Sequence, residues 1–239
     1  MRLKITINTI DRFVPYEYHG FLQGVIYHAL GQEQGNFFHN QGYTTDNRTY
    51  KMFVFSELQG KYAPSKNGLI FKEPAYFYIS CISSDFMNQM YVFFSNELYI
   101  TLGKQVFEIL EVGIVHDIEF HESHNYILQS ISPITCYKTD EKHFTTYFHP
   151  KSQDFEESLR NNISRKYKIL FENDEREFFE IKNIIRFKEI KVKFKKSIYV
   201  AYICTMKVHV SDGYLKLLLH TGLGAKNAAG FGMMKIVNK

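Results

Sequence analysis

The C-terminal region has the residue spacing best suited to chemistry with phosphate. The segment Gly222-Leu-Gly224-Ala-Lys-Asn-Ala-Ala-Gly230-Phe-Gly232 places four of the chain's 14 glycines within 11 residues. Glycine adopts positive φ and lets a second backbone approach closely, so such a loop suits a phosphate backbone. The alternative interpretation is a tight structural loop before the last strand. The predicted binding positions here are Gly222, Gly224, Lys226, Asn227, Gly230 and Gly232.

A lysine ladder precedes this loop, in the segment Lys191-Val-Lys193-Phe-Lys195-Lys196. On a strand, alternate residues share one face, so Lys191, Lys193 and Lys195 are predicted to point to the same side. A lysine beside a phosphate releases a counterion and gives salt-sensitive affinity. The alternative is a solvent-facing edge strand that its lysines protect from aggregation.

The N-terminal half offers a tyrosine on an otherwise bare helix face. Apolar residues at helical spacing predict a helix over residues 18–30. At about 100° per residue, one face of this helix carries only small residues and a phenol. These residues are Gly20, Gly24, Tyr27 and Gly31. Such a face admits a ligand next to the Tyr27 hydroxyl, although close helix packing is the alternative use of its glycines.

His39 is the histidine with the most informative context. It follows the predicted helix and precedes a strand that is predicted to open at Lys51. We expect a loop there, and loops between regular elements frequently carry catalytic groups. An imidazole with an unperturbed pKa of about 6.5 accepts and donates protons near neutral pH. Ordinary polar surface is the alternative for a single loop histidine.

Periodicity predicts the elements that would position these residues. The predicted strands of the first half are at 2–8, 51–56, 75–82, 98–102 and 105–115, and a second helix is capped by Ser84. The second half is predicted to contain strands at 126–137, 178–195, 199–210 and 233–237 and helices at 152–170 and 212–220. Both halves fit the βαββαβ order. The predicted fold is therefore α+β, with tandem ferredoxin-like domains at 1–122 and 123–239 and a C-terminal glycine-rich loop.

Composition limits the class of protein and its partners. The 239 residues are 45% hydrophobic and 23% charged, which is typical of a globular chain. No apolar run approaches the roughly 18 residues of a membrane helix, so no membrane partner is expected. Cys81, Cys136 and Cys204 lie far apart in apolar stretches, which favours reduced core thiols, a cytoplasmic location and no metal site.

The formal net charge of +4 conceals two different halves. Residues 1–120 hold 9 Lys and Arg against 12 Asp and Glu, a net charge of −3. Residues 121–239 hold 20 Lys and Arg against 13 Asp and Glu, a net charge of +7. This segregation predicts a face for a polyanion on the second half.

Three stretches together resemble a known family. They are Leu22-Gln-Gly-Val-Ile-Tyr27, then Phe37-Phe-His39 with Lys51-Met-Phe, then the segment from Gly222 to Gly232. In their order and spacing they are similar to the CRISPR repeat-processing endoribonucleases of the RAMP superfamily, the Cas6 family. The tandem ferredoxin-like arrangement extends this resemblance over the whole chain.

The resemblance implies metal-independent, cofactor-free cleavage of the CRISPR repeat in precursor RNA. A 2′-hydroxyl would attack the adjacent phosphate and leave a 5′-hydroxyl and a 2′,3′-cyclic or 3′-phosphate. By the same resemblance, His39 would be the general acid or base, Tyr27 would position the reacting oxygens, and Lys51 would stabilise the developing charge. His28 adjoins Tyr27 and is an additional candidate. We expect the first half to cut RNA and the second half to hold it.

Two other functions are compatible with these residues. A non-catalytic RNA-binding scaffold of the same fold would retain processed RNA in a CRISPR effector complex. An unrelated protein with two ferredoxin-like domains would bind a metabolite or a protein and show no salt-dependent affinity for RNA. The partners expected under the first interpretation are CRISPR repeat RNA, an effector complex and a second copy of the chain.

Overall fold

The computed structural model describes residues 1–45, 48–115 and 120–237. The strands are β1 (Arg2–Ile7), β2 (Phe13–Pro15), β3 (Tyr43–Thr45), β4 (Arg48–Tyr50), β5 (Phe53–Phe55), β6 (Tyr62–Pro64), β7 (Gly68–Phe71), β8 (Ala75–Cys81), β9 (Tyr99–Leu102), β10 (Gln105–Val115), β11 (Asn125–Ser130), β12 (Tyr137–Thr139), β13 (Thr145–Tyr147), β14 (Phe179–Phe194), β15 (Ser197–Val210) and β16 (Met234–Ile236). The helices are α1 (Tyr18–Ala29), α2 (Gly31–Asn36), α3 (Ser84–Asn96), α4 (Gln153–Phe171) and α5 (Asp212–Thr221).

The first half is built on an antiparallel sheet with strand order β5-β8-β1-β10-β9. Strand β1 is central, and its residues Leu3, Ile5 and Ile7 alternate into the core. Helices α1 and α3 bury their apolar sides, including Leu22 and Phe86, against this face. Alternate residues of the strands and one face of each of α1 and α3 are therefore buried in the same core.

The second half repeats the topology. Its sheet has the order β14-β15-β11-β16, with β11 between β15 and β16. Helix α4 buries Phe155, Leu159 and Ile163, and α5 buries a continuous leucine run, Leu217–Leu219. In both halves the order of elements around the central strand is that of a ferredoxin-like fold. The predicted α+β fold with tandem ferredoxin-like units is confirmed.

The two halves have separate cores, and both apolar and polar contacts join them: Val54 packs with Ile131 and Met233 in a small buried cluster. The buried Arg2 guanidinium donates to the carbonyls of Leu219 at 3.3 Å and Met234 at 2.7 Å. Ser80 Oγ lies 2.9 Å from His220 Nδ1 across the same interface. The domain division at 1–122 and 123–239 stays a proposal, and the separate cores support it.

Several local predictions need correction. The cap of α3 is Ser83, not Ser84, because Ser83 has extended backbone angles and its hydroxyl accepts the amide of Phe86 at 3.3 Å. Strand β11 ends at Ser130 and does not reach residue 137, because Pro133 has no amide to donate to a ladder. The sequence pattern also missed α2 and the small sheets β2-β7-β6, β3-β4 and β12-β13. Strands of three or four residues are too short for alternation to be visible.

Two predictions from composition can be compared with the structure. Cys81, Cys136 and Cys204 are buried and free, as expected for core thiols. Among the described residues, no helix is long and apolar enough to cross a membrane.

Candidate active site and nucleic-acid interface

Tyr27 lies on the last turns of α1 with its ring partly buried between the two halves. Its ring meets Phe53 edge-on at a centroid distance of 5.8 Å and His39 edge-on at 5.0 Å. Burial raises the pKa of Tyr27 to about 12. The phenol therefore keeps its proton at neutral pH and acts as a hydrogen-bond donor.

His39 is exposed, but it does not lie in a loop as predicted. It sits in a single π-helical turn, Phe37–Gln41, that continues from α2. The Asn40 amide nitrogen donates to Asn36 Oδ1, so the Asn40 oxygen faces His39 Nδ1 at 2.7 Å. An amide oxygen only accepts, so with this orientation of the Asn40 amide a proton on Nδ1 would complete the contact and leave the lone pair on Nε2. The tautomer suits a general base.

Lys51 joins this pair through the backbone of the π-helical turn. It precedes β5 by two residues and does not open the strand, contrary to the prediction. Its Nζ donates to the carbonyl oxygen of His39 at 2.9 Å. Partial burial lowers the pKa of the Lys51 ammonium below its ordinary value. The structure therefore brings Tyr27, His39 and Lys51 into one cluster.

A cleft of about 460 Å³ extends from this cluster across the boundary between the two halves. The first half contributes Tyr27, Lys51 and the β4 residue Arg48. The second half contributes Lys166 and Lys226. The described residues that line the cleft include no Asp or Glu. Three cationic side chains, Arg48, Lys51 and Lys226, line one cleft without a carboxylate, which makes it attractive to a polyanion.

The four glycines of the C-terminal segment are packed inside the protein. All have positive φ, between +75° and +87°, and all are buried. The amides of Gly222, Gly230 and Gly232 already donate to protein carbonyls, at 2.8–3.0 Å. A Cβ on Gly232 would stand 1.9 Å from the carbonyl oxygen of Leu223. These glycines shape the loop, and direct contact between them and RNA stays a prediction that this packing does not favour.

The exposed residue of the glycine-rich loop is Lys226. Lys226 has a left-handed backbone, with φ of 61°, and its side chain is exposed toward the cleft. Its Nζ lies 5.6 Å from the centre of the Tyr199 ring. Asn227 holds the loop together, since its side-chain amide donates to the carbonyls of Leu223 at 3.3 Å and Phe231 at 3.0 Å.

Lys166 is a cleft residue whose place the sequence reasoning missed. It is buried on α4, and its Nζ donates to Thr221 O at 3.2 Å, Gly222 O at 2.8 Å and Asn227 Oδ1 at 2.7 Å. It thereby ties α4 to the C-terminus of α5 and to the loop. Burial lowers its pKa to about 7. The available signal was its position three residues after Ile163, on the apolar side of the helix.

The lysine ladder lies on a different cleft, of about 520 Å³, between β14 and the first half. Lys191 and Lys193 are exposed while Val192 is buried, so the alternation is as predicted. Lys193 forms an ion pair with Glu17 of the first half. Lys195 does not belong to the ladder, because it lies in the tight turn after β14 with a φ of 54°.

His28 does not join the Tyr27 cluster. Its ring meets Phe93 of α3 edge-on at 5.8 Å, and it lines a separate cleft with Gly20 and Gly24. Those two glycines have open space where a Cβ would stand, in agreement with a bare face. Gly31 is not part of that face, since α1 ends at Ala29.

No metal-binding cluster is evident in the described part of the chain. Within residues 1–45, 48–115 and 120–237, no group of three or more His, Cys, Asp or Glu side chains is arranged to hold a metal ion.

Two curated proteins are similar over nearly the full chain. The CRISPR-associated endoribonuclease Cas6 1 of Methanocaldococcus jannaschii is 27% identical over an alignment of 247 positions that covers 98% of this chain and 92% of that protein. The CRISPR-associated endoribonuclease Cas6 of Pyrococcus furiosus is 21% identical over 93% of this chain and 83% of its own length.

Solved structures agree with this similarity. A structure described as "CRISPR associated protein Cas6" superposes with a TM-score of 0.78 at 25% identity, covering 100% of this chain and 99% of that one. A Cas6-related protein from Pyrococcus furiosus superposes with a TM-score of 0.87 at 19% identity and the same coverage, which supports the fold. The family model for the C-terminal region of CRISPR-associated protein Cas6 matches residues 116–236, about half of the chain. The chain therefore belongs to the Cas6 family of CRISPR-associated proteins.

Proposed function

We propose that this protein is a metal-independent endoribonuclease that cleaves CRISPR repeat sequences in precursor RNA to give guide RNAs. The observation that carries the proposal is the cluster of Tyr27, His39 and Lys51 at a cationic cleft. Its relatives are endoribonucleases by name. The cluster combines a base, a neutral donor and a cation, which are the groups that RNA cleavage by an internal nucleophile needs.

In the proposed reaction, His39 Nε2 accepts the proton of the 2′-hydroxyl. The 2′-oxygen then forms a bond to phosphorus while the bond from phosphorus to the 5′-oxygen breaks. The departing 5′-oxygen takes a proton from the Tyr27 hydroxyl, and the His39 imidazolium returns a proton to Tyr27, whose ring is 5.0 Å away. The products are a 2′,3′-cyclic phosphate and a 5′-hydroxyl.

Lys51 has an electrostatic role in this proposal. Its ammonium donates to the His39 carbonyl oxygen at 2.9 Å, so its position is fixed relative to the proposed base. From that position it would stabilise the negative charge that grows on the phosphate oxygens in the transition state. Arg48 and Lys226 on the walls of the same cleft would hold the flanking phosphates.

The experiment compares two histidine variants on the repeat RNA of the CRISPR array nearest to the gene. We expect His39→Ala to cut about 10²–10⁴ times more slowly while its RNA affinity changes by less than a few fold. Because His39 is exposed, the variant should fold normally. His28→Ala is the matched control, since it removes an exposed histidine from a different cleft, and should cut at the wild-type rate.

Two further arms separate the alternatives. Addition of EDTA should leave the wild-type rate unchanged, and a 2′-deoxy nucleotide before the scissile phosphate should abolish cutting but not binding. Full activity in His39→Ala, or loss of activity in EDTA, would contradict the proposed mechanism. Tight binding of the repeat without cleavage would instead identify the RNA-binding scaffold. Association with an effector complex, homodimerisation and a cytoplasmic location stay predictions.

A further inference from the structure

A second groove, lined by aromatic side chains, lies next to the cationic cleft. It has a volume of about 460 Å³ and runs between the β12–β13 hairpin and the start of β15. Three tyrosines form its floor. The ring of Tyr137 lies 5.6 Å from that of Tyr147 and 6.3 Å from that of Tyr199. Each of these tyrosines is only partly buried, and more of the groove's open surface is polar than apolar.

Phe144 extends this surface at the tip of the hairpin. Its side chain is 72% exposed, the most exposed phenylalanine among the described residues. The tip is nonetheless ordered by Asp140, whose Oδ1 accepts the amide of Phe144 at 2.8 Å and whose carbonyl accepts the amide of His143 at 3.0 Å. Phe144 therefore adds an exposed apolar ring, held in a fixed position, to the three tyrosines of the groove.

The groove and the cationic cleft adjoin each other, since Tyr137 lines both. Lys226 lies where the groove and the cleft meet, with its Nζ 5.6 Å from the centre of the Tyr199 ring. Burial raises the pKa of Tyr137, and the nearby charge of Lys226 partly opposes that rise. A strand of nucleic acid that leaves the cleft along this path meets a cation first and then aromatic faces. Stacking platforms beside a positive groove are the usual recognition mode for single-stranded nucleic acid.

We propose that this groove is a base-stacking subsite for unpaired nucleotides of the RNA that flank the phosphate held in the cleft. The proposal rests on the proposed function, since it requires an RNA substrate. The lining residues in the described chain are tyrosine, phenylalanine, threonine, serine, isoleucine and histidine, without an Asp or Glu. Such a lining suits the π-faces of bases and the hydroxyl groups of ribose, and it requires no particular sequence.

The test measures RNA affinity for Phe144→Ala against a matched control. Phe120→Ala is the control, because Phe120 is also an exposed phenylalanine, at 51%, and does not line the groove. The probe is the same repeat RNA, 5′-labelled, with a parallel arm that uses a single-stranded oligoadenylate of about twelve nucleotides, within the site size of one single-strand-binding module. We expect Phe144→Ala to raise Kd about 5- to 100-fold on both probes, and Phe144→Tyr to restore binding. Phe120→Ala should bind as the wild type does.

Salt dependence distinguishes stacking from phosphate contact. Because Phe144 carries no charge, its removal should leave the slope of log K against log salt unchanged, while Lys226→Ala should reduce it by about 0.7. A Phe144→Ala affinity within twofold of the wild type would overturn the subsite while leaving the proposed function standing. A wild-type protein that binds neither probe would overturn both. Loss of a concentration-dependent dimer in Phe144→Ala, with unchanged RNA affinity, would assign the groove to a protein partner instead.

Discussion

Replacing Gly232 by alanine tests whether the glycine-rich loop is a structural device. Gly232 has a φ of +75°, and a Cβ there would stand 1.9 Å from the carbonyl oxygen of Leu223. The amide of Leu223 donates to the carbonyl oxygen of Gly232 at 2.8 Å. The amide of Gly232 donates to the carbonyl oxygen of Pro133 at 2.8 Å. Relief of the clash must therefore move the backbone that holds the loop closed.

The magnitude follows from the interactions that would be lost. An alanine in a left-handed conformation costs about 1–2 kcal/mol. Each buried backbone hydrogen bond that is left without a partner costs about 1–3 kcal/mol. With strain and one or both bonds lost, we expect Gly232→Ala to lower the free energy of unfolding by about 2–8 kcal/mol, with the larger value if neither group finds water.

Gly24→Ala is the matched control, since it makes the same chemical change in a helical position with open space for the methyl group. Removing a glycine from the middle of α1 should raise the free energy of unfolding by about 0.5–1 kcal/mol. Urea unfolding at fixed pH measures both variants. If Gly232→Ala unfolds at the wild-type urea concentration but loses RNA affinity, the loop is a phosphate cradle and the packing argument is wrong.

Two further predictions concern lysines. Burial lowers the pKa of Lys166 to about 7, whereas a lysine in the unfolded chain stays protonated up to about 10.5. Between these values the unfolded state binds more protons than the folded state, so the free energy of unfolding of the wild type should rise with pH. The free energy of unfolding of Lys166→Met should lack this rise. From pH 7 to 9.5 the rise is up to about 3 kcal/mol at 1.36 kcal/mol per pKa unit, and parallel urea curves would contradict the assignment. For RNA binding, Lys191→Ala should reduce the slope of log K against log salt by about 0.7, and Lys193→Ala by less because Lys193 is already paired with Glu17. Equal slopes for wild type, Lys191→Ala and Lys193→Ala would mean that the ladder is only a solvated surface.

Much of the fold could be predicted because periodicity is a local property. The alternation of Leu3, Ile5 and Ile7 and the helical spacing of Phe155, Leu159 and Ile163 predict buried faces before any contact is known. The repeat of the βαββαβ order then limits the topology. The short sheets and the π-helical turn at Phe37–Gln41 could not be predicted, because three to five residues leave no periodic signal and depend on the surroundings.

The glycine-rich loop illustrates a different limit. The sequence identifies the glycines, but positive φ is compatible both with a phosphate cradle and with a packed turn. Only the neighbours decide between them, and at Gly230 these are His19 and Phe55 of the other half, within 2.7 Å of the point that a methyl group would occupy. Contacts between residues about 200 positions apart in the chain are not encoded in any local pattern.

The sequence by itself determined the chemical types of the candidate site: a tyrosine, a histidine and a lysine in the acidic half, and lysines and glycines in the basic half. It predicted a division of labour between the halves, which stays a prediction, and the tertiary structure adds that residues of both halves line one cleft. Arg48 and Lys51 face Lys166 and Lys226 there, so the first half supplies cations despite its net charge of −3. The physical reason is that net charge sums over a whole surface, whereas the field in a cleft depends on the few side chains that folding brings together.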